Sequence, residues 1–192
     1  MKKLTLILTI LMFLSISSMA KDAHVTEMSN LKIALNSYKD ATFKMNVEEI
    51  MTYIYPGLYK LFPKDSMEQS LKTMYSSGQA PKIVKMDIQK IGPIKTFDDG
   101  FFATVFYDMS MQMSIGEFNP ELKDKMIASL KLKLGEKSKI VFDEKTNTFI
   151  IDKESKMIAI KEGSTGWKFL EEEKASLLKD KIFPKSLLEK LK

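Results

Sequence analysis

The segment FFATVFYDMSMQMSI, residues 101–115, constrains the fold more than any other part of the chain. Apolar side chains occupy every odd position, and Thr104, Asp108 and Gln112 are among the polar residues between them. A period of two residues is typical of a β-strand with one face against a core. Fifteen residues at about 3.4 Å each give a strand of about 50 Å, which is too long to remain flat. We therefore expect a long strand that bends with its sheet.

The residues from 28 to 78 have helical periodicity instead. Apolar positions over 28–45 recur at three- and four-residue intervals and predict a first amphipathic helix. Asn46 and Asp65 are each followed by Glu three residues later, a pattern typical of helix starts. Pro56 predicts the end of the second helix, and Gly78 predicts the end of the third.

The remaining segments predict strands with one further helix between them. Alternation over 84–88 predicts a strand, and Asp98-Asp99-Gly100 predicts a tight hairpin turn before the long strand. A helix is predicted over 119–134 and a broken C-terminal helix around Pro184. Short strands are predicted around 140–142, 148–151, 157–160 and 167–170. The fold class expected is α+β, with N-terminal helices packed on a curved, strongly twisted, cone-like antiparallel sheet.

The first twenty residues have the layout of a secretory signal peptide. Lys2 and Lys3 precede an apolar run over 4–14, and Ser18-Met19-Ala20 places small residues before a cleavage point. The run is too short to span a bilayer, and the absence of cysteine excludes a lipoprotein anchor. We expect residues 1–20 to be removed, and residues 21–192 to form one domain in the periplasm or the medium. The mature chain is expected to have no integral membrane segment.

The composition excludes several classes of function. The chain has no cysteine, which excludes disulfides, thiolate catalysis and cysteine-ligated metals. All 30 basic residues are lysine, and nucleic-acid sites depend on the arginine fork, so no nucleic-acid partner is expected. Loss of Lys2 and Lys3 lowers the formal charge from +5 to +3. The only histidine, His24, lies close to the predicted cleavage point and is a poor candidate base.

Two segments carry a resemblance to a known superfamily. YIYPGLYKLFPKDSMEQSL and GSTGWKFLEE resemble the second and third helices and the last strand of the nuclear transport factor 2-like superfamily, also called SnoaL-like or cystatin-like. The resemblance covers most of residues 25–171. It implies a cone whose interior is either an enzyme pocket or a non-catalytic binding cavity. The helix at 119–134 and the leucine-rich tail after Glu173 depart from the compact family pattern.

Aromatic residues around Pro56-Gly57 are candidates for the wall of such a cavity. Tyr55, Tyr59 and Phe62 form one stripe at helical spacing, and tyrosine suits a half-wet wall because it has an apolar body and a polar tip. The same rings also suit a joint between two helices, and this is the favoured interpretation, with a cavity wall second. The complete set of candidate ligand-binding residues is Tyr55, Tyr59, Phe62, Tyr107, Met109 and Trp167. The expected partner is a small apolar molecule or another exported protein.

Catalysis in the same cone is the main alternative to simple binding. A cofactor-independent lyase or isomerase would use Tyr107 and a sheet aspartate as its polar groups. Asp87 and Asp108 lie on the polar faces of their strands, and no carboxylate is predicted on the face of Tyr107. We therefore favour a non-enzymatic binding or accessory domain, without catalytic residues and without a cofactor.

A Cu(I) site is the third hypothesis. Met109, Met111 and Met113 share one strand face, and thioethers are ligands that Cu(I) prefers. Successive sulfurs on that face are about 6–7 Å apart, so Met86 or Met157 would have to complete the site. The same methionines continue an apolar face, where methionine is a pliable filler. The favoured interpretation is core or cavity lining, with no metal ligand assigned.

Overall fold

A computed structural model of the protein describes residues 24–78, 80–115 and 120–191. The predicted signal peptide and the predicted helix cap at Asn119 lie outside these residues. Helix α1 covers 24–43. It is followed by α2 (Val47–Tyr53), a 3-10 turn (Pro56–Lys60) and α3 (Lys64–Ser76). The three predicted N-terminal helices are therefore present.

Local sequence signals account for most of the boundaries of α2 and α3. The side chain of Asn46 accepts a hydrogen bond from the Glu49 amide at 3.3 Å and caps α2 as predicted. Gly78, with φ +69°, follows the end of α3. The prediction that Asp65 caps α3 is wrong, because Pro63 precedes the helix and Asp65 lies within its first turn. A carboxylate in the first turn still interacts favourably with the helix dipole.

The sheet contains six described antiparallel strands. The long strands β3 (Gly100–Ser114) and β5 (Thr148–Lys161) pair with each other along almost their whole length and form its centre. The outer side of β3 pairs with β1 (Lys82–Ile91) and β2 (Lys95–Phe97). The outer side of β5 pairs with β4 (Lys139–Asp143) and β6 (Lys168–Glu171). The two-residue turn between β2 and β3 lies at the predicted Asp98-Asp99.

β5 is one strand where the sequence predicts two, around 148–151 and 157–160. The intervening residues, Asp152 to Lys156, are all polar, so no apolar alternation marks them as a strand. Each of them nevertheless pairs with a residue of β3, from Ser110 to Phe106. Pairing with a strand distant in the sequence therefore overrides the local pattern.

The odd-numbered face of β3 carries the first core, as the alternation predicts. Val105 and Tyr107 are 0% and 2% exposed and belong to a cluster with Leu31 and Leu35 of α1. Further along the same face, Met111 joins a separate cluster that α4 covers. Helix α4 (Lys123–Leu134) follows a 3-10 turn (Pro120–Leu122) and is the predicted helix between strands.

The opposite face of the sheet is covered at one end by the C-terminal helices. These are α5 (Glu172–Ile182) and α6 (Lys185–Lys190), which are separated at Pro184 as predicted. They bury Phe102 and Ile158 in a second core together with Leu170. The predicted α+β architecture, with helices on a curved antiparallel sheet and a C-terminal helix, is confirmed.

Candidate functional site

The outer edge of β5 is open between two short strands. β4 pairs with β5 as far as Asp152, and β6 pairs with it from Met157 onward. The four residues between, 153–156, therefore have a strand partner only on the β3 side within the described part of the chain. We call these four residues the β5 gap.

A cleft of about 790 Å³ lies at the β5 gap, and all four residues of the gap line it. We call it the gap cleft. Its volume is in the range of small-ligand sites in proteins. One side is formed by the α4–β4 connection, the other by the β6–α5 junction, and the floor by β3 and β5. Its lining outside the gap includes Leu134, Lys137, Phe106, Glu171, Glu172 and Phe183.

A hydrogen-bonded pair of a buried tyrosine and a half-buried carboxylate borders the gap cleft. Tyr107 lies opposite Ser155 of β5, and its hydroxyl donates a hydrogen bond to Glu171 Oε1 at the end of β6. The phenol therefore reaches across β5 to the next strand. The prediction that no carboxylate stands beside Tyr107 is wrong, because strand pairing brings Glu171 onto the same face as Met157 and Tyr107.

The environment of this pair keeps the phenol protonated. Burial raises the pKa of Tyr107 well above its ordinary value of 10.0, and the Glu171 carboxylate adds to the effect. Burial is also the main cause of the raised pKa of Tyr38 in α1, to which the Glu171 charge contributes. The Ser155 hydroxyl lies close enough to Tyr107 to lower its pKa and so to offset part of this rise. It nevertheless forms no hydrogen bond of ordinary geometry with a described residue. At neutral pH Tyr107 can donate a hydrogen bond but cannot act as a base.

Charges of opposite sign lie at the two ends of the β5 gap. Lys137 and Lys153 line the cleft at the end where β4 begins. Glu172 and Glu173 line it at the end where β6 passes into α5. Glu172 also forms a salt bridge of 3.5 Å with Lys156, in which both side chains are about half exposed. On the face of Tyr107 the cleft therefore has a positive end at Lys153 and a negative end at Glu171. Asp108, Glu154 and Lys156 line it on the other face, and Lys179 lines it from α5.

Phe106 forms an apolar floor between these charges. Its ring is half-buried and lies on the face of β3 opposite to that of Tyr107. The ammonium groups of Lys90 and Lys156 lie 6.0 and 5.4 Å from the ring centroid, within the range of a cation–π interaction. Phe183, which follows α5, also lines the cleft.

The predicted ligand-binding residues are not gathered at one site. Of the six, Tyr107 lines the gap cleft. Trp167 is buried in the first core and borders a different pocket of about 460 Å³ beside α1. Met109 is half-buried and packs between the first core and the cluster beneath α4.

The three aromatic residues around Pro56 form a joint. Tyr55 is buried in the second core and donates a hydrogen bond to Glu162 Oε1 at 2.8 Å. The hydroxyl of Tyr59 donates to the Met51 carbonyl oxygen at 3.0 Å, which ties the 3-10 turn back to α2. Phe62 is 47% exposed. The hydrogen bond of Tyr55 ties the 3-10 turn to the end of the sheet, and none of the three side chains lines the gap cleft with Tyr107.

The methionines and aspartates singled out in the sequence have different surroundings. Met111 is buried and lies opposite Ile151, and Met113 lies opposite Phe149, so their neighbours on β5 are apolar. Met86 lies opposite Met109. The aspartates Asp87 and Asp108 lie opposite each other on the face away from Tyr107. In the described ranges, no group of three or more histidine, aspartate or glutamate side chains is arranged to hold a metal ion.

Glu171, Phe106 and the β5 gap are the features that sequence reasoning missed. Glu171 carries no local signal, because it is one of several acidic residues at the start of α5. Phe106 lies at an even position of β3, among residues that the alternation assigns to the polar face.

Within residues 24–78, 80–115 and 120–191, no helix has the length and apolar character needed to cross a membrane. Comparison with known proteins found no matching family model, no similar curated protein and no similar solved structure.

Proposed function

We propose that the protein is an exported, non-enzymatic binding module that holds a small amphipathic ligand in the gap cleft. The observation that supports this most is the combination of an apolar floor at Phe106 with a rim that carries both signs of charge. Ligand sites in proteins typically combine apolar surface with a few placed polar groups. The buried phenol of Tyr107 adds a hydrogen-bonded inner wall. The ligand class is therefore wider than the purely apolar molecule that the sequence predicts.

The chemistry of the cleft favours binding over catalysis. General acid–base catalysis needs a group that gains and loses a proton near the working pH. The pKa of Tyr107 is raised far from that range, and Glu171 already accepts its hydrogen bond. His24 packs edge-on against Phe101, with ring centroids 6.2 Å apart, and does not line the cleft.

A cofactor-independent lyase or isomerase is the second candidate, and one observation favours it. Tyr107 and Glu171 place a donor and a carboxylate together at a cleft, a role that the sequence assigns to Tyr107 and a sheet aspartate. Asp87 and Asp108 lie on the other face, so Glu171 would have to take that role. Turnover lost in Glu171→Gln, with ligand affinity retained, would favour this candidate.

We also propose that the chain is a divergent, exported member of the nuclear transport factor 2-like superfamily. Helices α1–α3 precede a curved sheet with two long central strands, which is the arrangement that the resemblance implies. Helices α5 and α6 cover the second face of the sheet and depart from the compact pattern. The Cu(I) hypothesis has less support, since the buried Met111 packs against apolar neighbours.

A fluorescent probe tests the binding function. The dye 1-anilinonaphthalene-8-sulfonate has apolar rings and one anionic group, and we expect the mature protein to bind it with saturation. Phe106→Ala should weaken its affinity about tenfold, because losing contact with one ring removes about 1.4 kcal/mol. Phe62→Ala is the matched control, since it removes an exposed ring outside the cleft. Loss of affinity in Phe62→Ala but not in Phe106→Ala would place the site at the proline joint and contradict the proposal.

A further inference from the structure

We infer that the ligand of the gap cleft is the carboxyl-terminal end of an extended peptide, which adds a strand of about four residues to the β5 gap. The inference rests on the proposed binding function and names the ligand class of the same site. Three features carry it: the unpaired backbone edge, the charges at its two ends and the short length of the gap.

The unpaired edge favours a polypeptide ligand. The outer backbone groups of residues 153–156 have no strand partner among the described residues, and these residues line the cleft. An open strand edge presents amide and carbonyl groups in a repeat that matches another extended chain. The four residues span about 13 Å, the length of a four-residue strand. A ligand without regularly spaced amides would leave part of this edge unmatched.

The charges at the two ends set the direction of the peptide. β5 runs from Lys153, at the positive end of the gap, toward Lys156 and the negative end. β5 is antiparallel to β3, β4 and β6, its three partners in the described part of the chain. A peptide that is also antiparallel would place its α-carboxylate beside Lys137 and Lys153. A parallel peptide would place the same carboxylate beside Glu172 and Glu173, which would repel it.

The length of the gap favours a chain end over an internal segment. β4 and β6 occupy the same edge of β5 on either side of the gap, so a bound strand cannot continue in the plane of the sheet. A carboxyl terminus needs to leave the sheet in one direction only. Side chains of the peptide would alternate between the floor at Phe106 and Phe183 and the face of Ser155. Large apolar residues are expected at the first kind of position and small residues at the second.

Affinity selection tests the inference with the mature protein and a synthetic library of all tetrapeptides with free carboxyl termini. We expect a subset of peptides with alternating apolar residues to be enriched. The C-terminal amide of the best peptide should bind about tenfold more weakly, and so should the free acid to the Lys137→Glu/Lys153→Glu variant. Lys125→Glu/Lys131→Glu in α4 makes the same change of charge away from the cleft and should bind like the unaltered protein.

A backbone readout separates strand addition from simple charge attraction. Bound peptide should slow hydrogen exchange of outward-facing amides within residues 153–156, and N-methylation of the peptide backbone should abolish this protection. Equal binding of acid and amide, or protection elsewhere in the sheet, would overturn the inference. If the dye binds at Phe106 and no tetrapeptide is enriched, the peptide inference fails and the binding function stands. If neither binds, both fail.

Discussion

At the scale of single residues, the gap cleft joins side chains from both faces of one strand. Phe106 and Tyr107 are neighbours in the sequence, so they lie on opposite faces of β3. Both line the cleft, because the β5 gap leaves the edge of the sheet open and the Tyr107 phenol reaches across β5 to Glu171. A ligand would therefore contact Phe106 on one face of the sheet and the hydrogen-bonded pair of Tyr107 and Glu171 on the other face.

The phenol of Tyr107 is expected to make stability sensitive to alkali. Its pKa in the folded protein lies above the ordinary value of 10.0, so its contribution is complete below about pH 10 and is lost as the pH rises further. Urea unfolding between pH 7 and 11.5 should show a steeper alkaline loss for the unaltered protein than for Tyr107→Phe. At pH 7 the variant should lose about 1–3 kcal/mol, because the hydrogen bond from the Tyr107 phenol to the Glu171 carboxylate is removed. Parallel pH profiles would contradict this assignment.

At the scale of elements, β3 is the strand on which the three hydrophobic clusters meet. Val105 belongs to the first core, Phe102 to the second and Met111 to the cluster beneath α4. The strand is long enough to reach all three because β5 pairs with it from Phe101 to Ser114. The two faces of β3 are therefore covered unequally. Helices α1 and α4 cover the odd-numbered face, and α5 and α6 cover one end of the other face.

A charge on the inner face of β3 should unfold the domain. Val105→Asp buries a carboxylate without a partner, which we expect to cost about 3–5 kcal/mol or more. Gln112→Asp introduces the same side chain at an exposed position of the same strand and should change stability by less than about 1 kcal/mol. Thermal unfolding monitored by circular dichroism compares the two. Similar melting temperatures would show that the assignment of faces is wrong.

Helix α5 is expected to stabilise the fold through one face only. Ile182→Ala should cost about 2–5 kcal/mol, because Ile182 is fully buried in the second core. Leu177→Ala lies in the same helix at a residue that is 82% exposed, and its effect should be within about 0.5 kcal/mol. Chemical unfolding of the two variants is the measurement. A large loss in Leu177→Ala would show that this leucine has a partner in solution.

At the scale of the whole molecule, packing takes the place of covalent links. The chain has no cysteine, so no disulfide ties α1 to the sheet. α1 is held instead by the first core and by a largely buried salt bridge, 2.6 Å long, from Lys161 at the end of β5 to Glu27. Glu27 without Lys161 would be a largely buried charge without its cation, so we expect loss of Lys161 to destabilise the attachment of α1 to the sheet.

Export is a prediction about the whole chain. If residues 1–20 are a signal peptide, a bacterial host that expresses the full chain should yield a protein that begins at Lys21, as intact-mass spectrometry would show. The Ser18→Arg/Ala20→Arg variant replaces both small residues before the cleavage point and should retain residues 1–20. Retention of these residues in the unaltered protein as well would contradict the prediction.

Features that depend on local chemistry could be predicted from the amino-acid sequence. The period of two over residues 101–115 specified β3 and its inner face, because alternate side chains of a strand point to opposite sides. Asn46 specified the start of α2, Asp98-Asp99 the hairpin turn and Pro184 the break between the C-terminal helices. In each case the residues that form the feature are adjacent in the chain, so their conformational preferences are visible without knowledge of the fold.

Features that depend on which strands are neighbours follow from the folded arrangement of the whole chain. Tyr107 and Glu171 are 64 residues apart and meet because β3, β5 and β6 are consecutive in the sheet. The β5 gap exists because β4 pairs with β5 only as far as Asp152 and β6 pairs with β5 only from Met157 onward. Neither limit can be read from residues 153–156 themselves. The same holds for Phe102, which is buried because α5 and α6 return to its face. Strand order and helix return are set by the free energy of packing the whole chain, which no local pattern contains.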